Sequence, residues 1–253
     1  MSFSSCNALI IEFVKSGNYR QALSVYQNIS EKESSQVILD KTFVALLKAC
    51  SVLKDLERGQ KIHAHIDNTG VGLLENNVFI GCAMVDMYAK CGFLAKSHEI
   101  FKKIRLRDVA LWNALITGYV DGGRGEEAMW FLEEMECDGV RANSVTFVCI
   151  LKACGSIRSI EKGQWTHAEI VKKGLDMDPL ICNSLVDLYA KFGFLSTAKE
   201  LFSKLPNRDI VAWNTLIGGY VECGHIEDAF YFFDQMQCEG ISMNGITLVG
   251  LLK

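Results

Sequence analysis

The sequence predicts an all-α fold, a right-handed α-solenoid of stacked helix-turn-helix repeats. Three observations support this prediction: the chain repeats itself, its apolar residues follow helical spacing twice in each repeat, and no segment alternates as a strand would. A helical hairpin of this size cannot bury both faces alone, so neighbouring hairpins must stack. The first helix of each hairpin is then expected to line the concave surface.

The repeats are visible when the chain is compared with itself. Residues 109–143 and 210–244 align without a gap and are identical at 15 of 35 positions, and Asn113 and Asn214 lie 101 residues apart. Two other repeat types lie between these copies, and both recur. We name the three types leading, middle and short. The leading repeats are predicted at 3–39, 109–143 and 210–244, the middle repeats at 40–77, 144–178 and, truncated, 245–253, and the short repeats at 78–108 and 179–209.

Each repeat contains two apolar stripes at helical spacing, with a glycine-rich interruption between them. In the repeat 109–143 the stripes are formed by Leu111, Leu115, Ile116 and Tyr119, and then by Ala128, Phe131, Leu132 and Met135. Recurrent aromatic and methionine residues at this spacing favour core packing over a cofactor site. Small residues early in the second helix, such as Ala128, Ala198 and Ala229, are expected to let the paired helices approach closely.

Composition narrows the functional classes. The chain has 253 residues, 49% of them apolar and 22% charged, and a formal net charge of −4. These values predict a folded chain, and no apolar run is long enough to span a membrane. Neither a signal nor a transit peptide is visible, and the ten cysteines are expected to be reduced and mostly buried. Because the chain opens and stops within repeats, we expect it to belong to a longer protein.

The repeat motifs match a known family. The Trp-Asn-x-Leu-Ile-x-Gly-Tyr opening at Trp112 and Trp213, the Glu126-Glu127-Ala128 start of the second helix and the alternating unit lengths resemble the pentatricopeptide repeat family. The closest pattern is that of its P-L-S subclass from land-plant organelles, in which P, L and S correspond to the leading, middle and short repeats. The resemblance covers residues 3–253.

The resemblance implies binding of single-stranded RNA at about one base per repeat. In the family, the base edge is read by the fifth residue of the first helix and the last residue of the repeat. The corresponding pairs are Asn113 with Asn143, Asn183 with Asp209, and Asn214 with Asn244. An asparagine pair implies a pyrimidine with a preference for C, and Asn with Asp implies U, so the expected site is 5′-Y-n-U-Y-3′ under residues 109–244.

The second residue of the first helix is expected to pack against the base, a role that falls on Ala110, Leu180 and Val211. Asn7 holds the reading position of the first repeat, with Leu39 or Asp40 as its partner. Other repeats depart from the pattern, because the reading position is occupied by Val44, Val148 and Cys82. Each asparagine could alternatively be a solvated surface amide or a helix-start residue.

The positions of the charged residues predict a weakly basic groove along the concave surface of the first helices. Lys48 and Lys152 occupy one first-helix position of the middle repeats, and Lys90 and Lys191 occupy another position in the short repeats. Phosphates could follow this line of lysines. Asp121 and Glu222 hold the position of Lys90 and Lys191 in the leading repeats. We therefore expect modest affinity and a shallow dependence on salt.

Enzymatic functions are disfavoured. His167-Ala168-Glu169 has the His-x-Glu spacing of zinc deaminases, but no Cys-x-x-Cys pair exists in the chain and His63 occupies the same repeat position without the glutamate. We expect no catalytic residue, metal or cofactor. The expected protein is a monomer that recognises sites for C-to-U editing or processing of RNA in mitochondria or chloroplasts, with editing-complex proteins acting in trans. A protein-binding helical scaffold is the alternative.

Overall fold

The structure is a computed structural model, and it describes residues 3–30, 38–69, 76–205 and 207–251. Within these residues it contains fifteen helices and no strand. The helices are α1 Phe3–Lys15, α2 Tyr19–Ser30, α3 Asp40–Leu53, α4 Leu56–Thr69, α5 Val78–Lys90, α6 Leu94–Lys103, α7 Val109–Asp121, α8 Gly125–Cys137, α9 Ser144–Ser156, α10 Ile160–Lys172, α11 Pro179–Lys191, α12 Leu195–Lys204, α13 Ile210–Glu222, α14 Ile226–Cys238 and α15 Gly245–Leu251.

Each predicted repeat from 3–39 to 210–244 holds two helices, a first and a second, and the truncated repeat holds α15. Residues 31–37 of the first repeat and 70–75 of the second lie outside the described residues. The predicted all-α class is therefore confirmed, while the division into repeat types stays a prediction.

The chain forms two compact units, Met1–Arg141 and Ala142–Lys253. In the first unit the first helices α1, α3, α5 and α7 pack each against the next, and in the second unit α9, α11, α13 and α15 do the same. Each second helix contacts its own first helix, and α2, α4, α6, α10 and α12 also contact the first helix that follows. Each unit thus has the layered stacking of an α-solenoid, with a continuous layer of first helices.

A recurring aromatic cluster joins each short repeat to the leading repeat that follows. The buried indole of Trp112 packs edge-to-face on Phe101 with ring centroids 4.5 Å apart. The guanidinium of Arg107 lies 5.0 Å from the centroid of Phe101, and its Nη1 donates to Oδ2 of Asp138 at 3.1 Å. Arginine suits this position because its planar head can stack on a ring while donating to a carboxylate.

The second unit repeats this cluster with Trp213, Phe202, Arg208 and Glu239. The two ring centroids are 4.7 Å apart, and Nη1 of Arg208 donates to Oε1 of Glu239 at 2.7 Å. The tryptophans that mark the repeats in the sequence are therefore core residues that set how one repeat packs on the next.

First helices approach most closely where a glycine faces an alanine. A Cβ atom built on Gly118 would lie 2.5 Å from the Cβ of Ala89, and one on Gly219 would lie 2.4 Å from that of Ala190. Real Cβ atoms do not approach so closely, so any larger residue would push α7 from α5 or α13 from α11. The predicted close packing by Ala128, Ala198 and Ala229 also agrees with the structure, where all three are fully buried.

The expectation that the cysteines are mostly buried is wrong. Only Cys50, Cys154 and Cys182 are buried, four others are half-buried, and Cys137, Cys223 and Cys238 are exposed. The exposed ones end α8 and α14 or follow α13 directly, where the chain turns away from the core. Among the described residues no cysteine is joined in a disulfide.

Replacing Gly219 with alanine is expected to lower the free energy of unfolding by about 1–3 kcal/mol, because the new methyl group overpacks the contact with Ala190. Thermal and urea denaturation followed by circular dichroism would measure the change. Gly218→Ala is the matched control, since nothing lies within 4 Å of its added Cβ. It is expected to stabilise α13 by about 0.5–1 kcal/mol through helix propensity. Equal effects of the two variants would contradict the packing argument.

Candidate nucleic-acid interface

The last residue of several predicted repeats is the N-cap of the next first helix. Oδ1 of Asp108 accepts from the backbone N of Leu111 at 2.9 Å, and Oδ1 of Asp209 accepts from that of Ala212 at 2.9 Å. A side-chain cap satisfies a backbone donor that the helix leaves unpaired and contributes about 1 kcal/mol. These aspartates therefore have a structural task that is independent of any ligand.

Two of the predicted reading asparagines perform the same task. Asn143 caps α9 in a capping box with Thr146. Oδ1 of Asn244 accepts from the backbone N of Ile246 and of Thr247, both at 3.0 Å, at the start of α15. The last residue of each of these two repeats is thus a helix-start residue, the alternative considered above. Asn143 is also exposed, so capping α9 does not keep it from a ligand.

The predicted pair Asn214 and Asn244 is brought together. Nδ2 of Asn214, on α13, donates to Oδ1 of Asn244 at 3.3 Å, and both residues are half-buried. The fifth and last positions of this repeat therefore place two amides next to each other, where both can contact the edge of one base.

The other predicted reading residues are placed as follows. Asn183, on α11, is half-buried, and its Oδ1 is shielded from solvent without a hydrogen-bond partner within the described part of the chain. Its predicted partner Asp209 is exposed while it caps α13. Asn113 is half-buried on α7 in the first unit, and its predicted partner Asn143 belongs to the second unit. The buried oxygen of Asn183 makes its Nδ2 end the one that can meet a ligand.

Asn7 is half-buried on α1, and its two predicted partners differ. Leu39 is the N-cap of α3 but makes no side-chain cap, and it has no polar group to offer a base. The carboxylate of Asp40 accepts from Nδ2 of Asn77 at 2.7 Å. Asp40 is the only one of the two with hydrogen-bonding chemistry.

The predicted base-packing residues are all exposed at the second position of their helices. Leu180 and Val211 are 62% and 56% exposed, and Ala110 is also exposed. Further apolar residues that were not predicted as base-packing lie at this same position. Their place in the repeat is enough to identify them from the sequence. They are Phe79, Val145 and Ile246, which are 79%, 49% and 69% exposed.

The three departures from the reading pattern remain apolar or neutral. Val44 and Val148 are half-buried and offer no hydrogen bond. Burial raises the pKa of the Cys82 thiol to about 12, helped by the negative charges of Asp108 and Asp86. Cys82 therefore stays a neutral thiol, a weak hydrogen-bonding group.

The four predicted phosphate-facing lysines are exposed, but two of them are ion-paired on their own helix. Nζ of Lys90 lies 2.9 Å from Oδ1 of Asp86, and Nζ of Lys191 lies 2.6 Å from Oδ2 of Asp187. Asp86 also accepts from the hydroxyl of Ser51 at 2.7 Å. Lys48 and Lys152 lie on α3 and α9, in the middle repeats. The first helices thus carry less unpaired positive charge than their lysines suggest.

Two models of one known protein family match this chain. A model described as PPR repeat family matches residues 107–156 and 208–253, and one described as PPR repeat matches 4–33, 82–109 and 180–210. Together they cover more than half of the chain. The chain belongs to the pentatricopeptide repeat family. The family predicted from the sequence is therefore confirmed.

Curated pentatricopeptide repeat-containing proteins of Arabidopsis thaliana are similar over nearly the whole chain. One named mitochondrial is 33% identical over 247 residues, which cover 98% of this chain and 23% of the relative. Another, named chloroplastic, is 32% identical over 248 residues, or 98% of this chain and 30% of the relative. Among eight such relatives the chain spans 23% to 44% of their length.

Solved pentatricopeptide repeat structures share the fold. The crystal structure of PPR10 from maize has a TM-score of 0.80 at 22% identity and covers 100% of this chain and 36% of that chain. A structure of PPR10 in complex with an 18-nt psaJ RNA element has a TM-score of 0.79 at 21% identity and covers 100% of this chain and 37% of that chain. The α-solenoid fold is thereby established for this pentatricopeptide repeat chain.

The histidines of the middle pentatricopeptide repeats serve packing. Nδ1 of His63 lies 2.8 Å from the hydroxyl of Tyr88, and Nδ1 of His167 lies 3.0 Å from that of Tyr189. Burial lowers the pKa of both imidazoles. Glu169 of the His-x-Glu segment instead pairs with Nζ of Lys172 at 2.5 Å. His63 and His167 therefore each link the second helix of a middle repeat to the next first helix.

The described residues contain no group of three or more His, Cys, Asp or Glu side chains placed to hold a metal ion. None of their helices is both long and apolar enough to cross a bilayer. Membership of a helical-repeat family agrees with the expectation that the chain is not an enzyme.

Stability is expected to fall as the pH drops below about 6.5, the pKa of an unperturbed imidazole. The folded-state pKa of His63 and His167 lies lower, so between the two values the unfolded chain binds more protons and acid favours unfolding. Melting temperatures measured from about pH 7.5 to 5.5 would show this decline.

His167→Gln is expected to flatten this pH dependence, because glutamine can keep a hydrogen bond to Tyr189 without titrating. His225→Gln is the control, since His225 is exposed at the start of α14. A pH dependence that His167→Gln leaves unchanged would show that His167 does not contribute to it.

Proposed function

We propose that this chain is a sequence-selective, single-stranded RNA-binding part of an organellar pentatricopeptide repeat protein of the P-L-S type. The observation that carries the proposal is the recurring start of the first helices, where an exposed apolar second residue adjoins a polar N-cap. Val211 beside Asp209, and Ile246 beside Asn244, show this arrangement in the second unit. An apolar contact for the base face and a polar contact for its edge are what recognition of an unpaired base requires.

The proposed site is 5′-Y-n-U-Y-3′ under residues 109–244, at about one base per repeat. Asn113 and Asn143 would read the first pyrimidine, Asn183 and Asp209 the uracil, and Asn214 and Asn244 the second pyrimidine. Val148 leaves the intervening base unread because it offers no hydrogen bond. One unread base thus separates the first pyrimidine from the two selected bases that follow.

The caps give a physical reason for different bases. Asp209 uses Oδ1 on the backbone N of Ala212 and keeps Oδ2 as an acceptor, which suits the N3–H donor of uracil. Asn244 uses its oxygen on α15 and keeps amide donors, which suit the O2 and N3 acceptors of cytosine. The same structural position therefore favours U or C according to its residue.

The cellular role is proposed from the relatives, whose names place them in mitochondria or chloroplasts. Recognition of a site for C-to-U editing, or for RNA processing, fits a chain that binds RNA as a monomer and leaves chemistry to proteins acting in trans. PPR10 bound to a psaJ RNA element supports RNA as the partner.

Asp209→Asn is expected to move the preferred base at the third position of the site from U toward C, while the cap and the melting temperature are kept, because both residues cap helices well. Fluorescence polarisation with short RNAs that differ only at that base would measure the preference. A change of about 1–3 kcal/mol in discrimination, or about 5- to 150-fold, is the range for a lost base contact.

Asp209→Ala is the matched control, since it removes both the cap and the base contact. It is expected to lower stability by about 1 kcal/mol and to weaken selection without reversing it. The proposal is wrong if the wild-type chain binds none of these RNAs, an outcome that favours a protein-binding scaffold. It also fails if Asp209→Asn leaves the base preference intact.

Groove electrostatics yield a separate prediction. Asp187→Asn is expected to strengthen RNA binding, because it frees the charge of Lys191 for phosphate. The slope of log K against log salt should steepen by about 0.7, the contribution of one contact to single-stranded RNA. Filter-binding titrations at several salt concentrations would give the slope.

Glu200→Gln is the control for this prediction, because it breaks a similar ion pair, with Lys204 at 2.7 Å, on the second helix α12. The net charge changes equally in both variants. Equal effects on RNA binding would therefore assign the change to net charge and contradict a phosphate-facing Lys191.

A further inference from the structure

Two buried threonines lie behind the reading asparagines. Thr146 is the third residue of α9 and Thr247 is the third residue of α15, and they are 0% and 1% exposed. Each follows an asparagine cap, Asn143 or Asn244, at the same distance in sequence. A buried hydroxyl needs a hydrogen-bond partner, and here the partners are the asparagines themselves.

The contacts at α9 form a closed box. The backbone N of Asn143 donates to Oγ1 of Thr146 at 3.2 Å, and the backbone N of Thr146 donates to Oδ1 of Asn143 at 3.1 Å. Oγ1 of Thr146 also lies 3.1 Å from Oδ1 of Asn143. The two contacts from Thr146 to the side chain of Asn143 both meet the oxygen of the amide, so this end of Asn143 is held toward the helix.

The contacts at α15 repeat the box and extend it to the second reading residue. Oγ1 of Thr247 donates to Oδ1 of Asn214 at 2.6 Å and lies 3.1 Å from Oδ1 of Asn244. A hydroxyl has one proton, which the shorter contact assigns to Asn214. The amide oxygens of both reading residues are therefore turned toward Thr247.

The threonine follows the asparagine caps Asn143 and Asn244 and is missing behind the aspartate caps Asp108 and Asp209. Leu111 and Ala212 hold the third position after Asp108 and Asp209. A carboxylate needs no such partner because its two oxygens are chemically alike, whereas an amide has an acceptor end and a donor end. Turning the amide over would reverse what it offers to a base.

Asn77 shows another solution to the same problem. Ile80 holds its third position, but Nδ2 of Asn77 donates to Oδ2 of Asp40 at 2.7 Å while its oxygen caps α5. The amide is thus oriented by a contact at its nitrogen instead of one at its oxygen. An orienting partner is present at all three of these asparagine caps.

We infer that Thr247 and Thr146 are positioning residues that fix the orientation of the reading amides and so determine the choice of cytosine over uracil. The inference rests on the proposed RNA-binding function. With the oxygens held inward, the amide nitrogens are the ends presented to the base. They match the N3 acceptor of cytosine and conflict with the N3–H donor of uracil.

Thr247→Val tests this inference, because valine keeps the shape and removes the hydroxyl. The ratio of affinities for RNAs with C or U at the last position of the site is expected to fall by about two- to tenfold, the range for one ordinary hydrogen bond. Thr247→Ser keeps the hydroxyl, so its ratio is expected to equal that of the wild-type chain. Fluorescence polarisation gives the ratio, which a general loss of helix stability would not change.

Thr42→Val is the matched control. Thr42 is the third residue of α3 and is fully buried, but it follows Leu39, and its hydroxyl has no hydrogen-bond partner within the described ranges. Its replacement is expected to leave the C-to-U ratio unchanged. A fall in the ratio equal to that of Thr247→Val would refute a specific role of Thr247.

The outcomes separate this inference from the proposed function. If the wild-type chain does not bind the RNAs, the proposed function fails. If it binds and prefers C, but a folded Thr247→Val keeps that preference, the inference alone fails. Should Thr247→Val not fold, as judged by circular dichroism, Thr146→Val in the longer helix α9 decides the matter at the base assigned to residues 109–143.

Discussion

The side-chain cap that begins the first helices from α5 to α15 is the interaction on which their arrangement depends. A helix begins with unpaired backbone donors, and in a stacked array each start lies at the junction between repeats. Asp108, Asn143, Asp209 and Asn244 satisfy those donors, and each is also the last residue of the preceding predicted repeat. The cap therefore fixes where the next helix starts, and the helix start fixes which side chains emerge at its second and fifth positions.

Capping also divides the chemistry of these residues. The oxygen that holds the helix cannot at the same time contact a base freely, so what remains differs between an aspartate and an asparagine. Asp209 retains a second oxygen, whereas Asn244 retains amide donors. Base preference would then follow from a structural requirement. The residue must cap the helix in either case, and only the side-chain atoms that do not cap can differ in what they offer to a base. This explains how one scaffold position can alternate between bases without altering the fold.

Much of the fold could be predicted because its determinants are local and periodic. The apolar stripes, the glycine turns and the recurring Trp112 and Trp213 define helix pairs within each repeat. The pairing of Lys90 with Asp86 is also predictable, because opposite charges four residues apart lie on the same face of a helix. The shielded oxygen of Asn183 could not be predicted, because it depends on how separate helices pack. Orientation of an amide likewise depends on hydrogen bonds that residue types alone do not specify.

The pairing of charges affects how such a chain can bind RNA at all. If Lys90 and Lys191 are largely neutralised by their own helices, phosphate contacts contribute little, and the base faces must supply more of the affinity. Base stacking on an aromatic side chain is worth about 1–3 kcal/mol. Among the exposed apolar residues at the second position of the described first helices, only Phe79 is aromatic, and the others are aliphatic. Each repeat then adds a small increment, and useful affinity requires several repeats to be in register at once. An RNA that mismatches one repeat loses the binding free energy of that repeat, and phosphate contacts do not make up the loss. Weak electrostatics therefore favour selectivity over affinity.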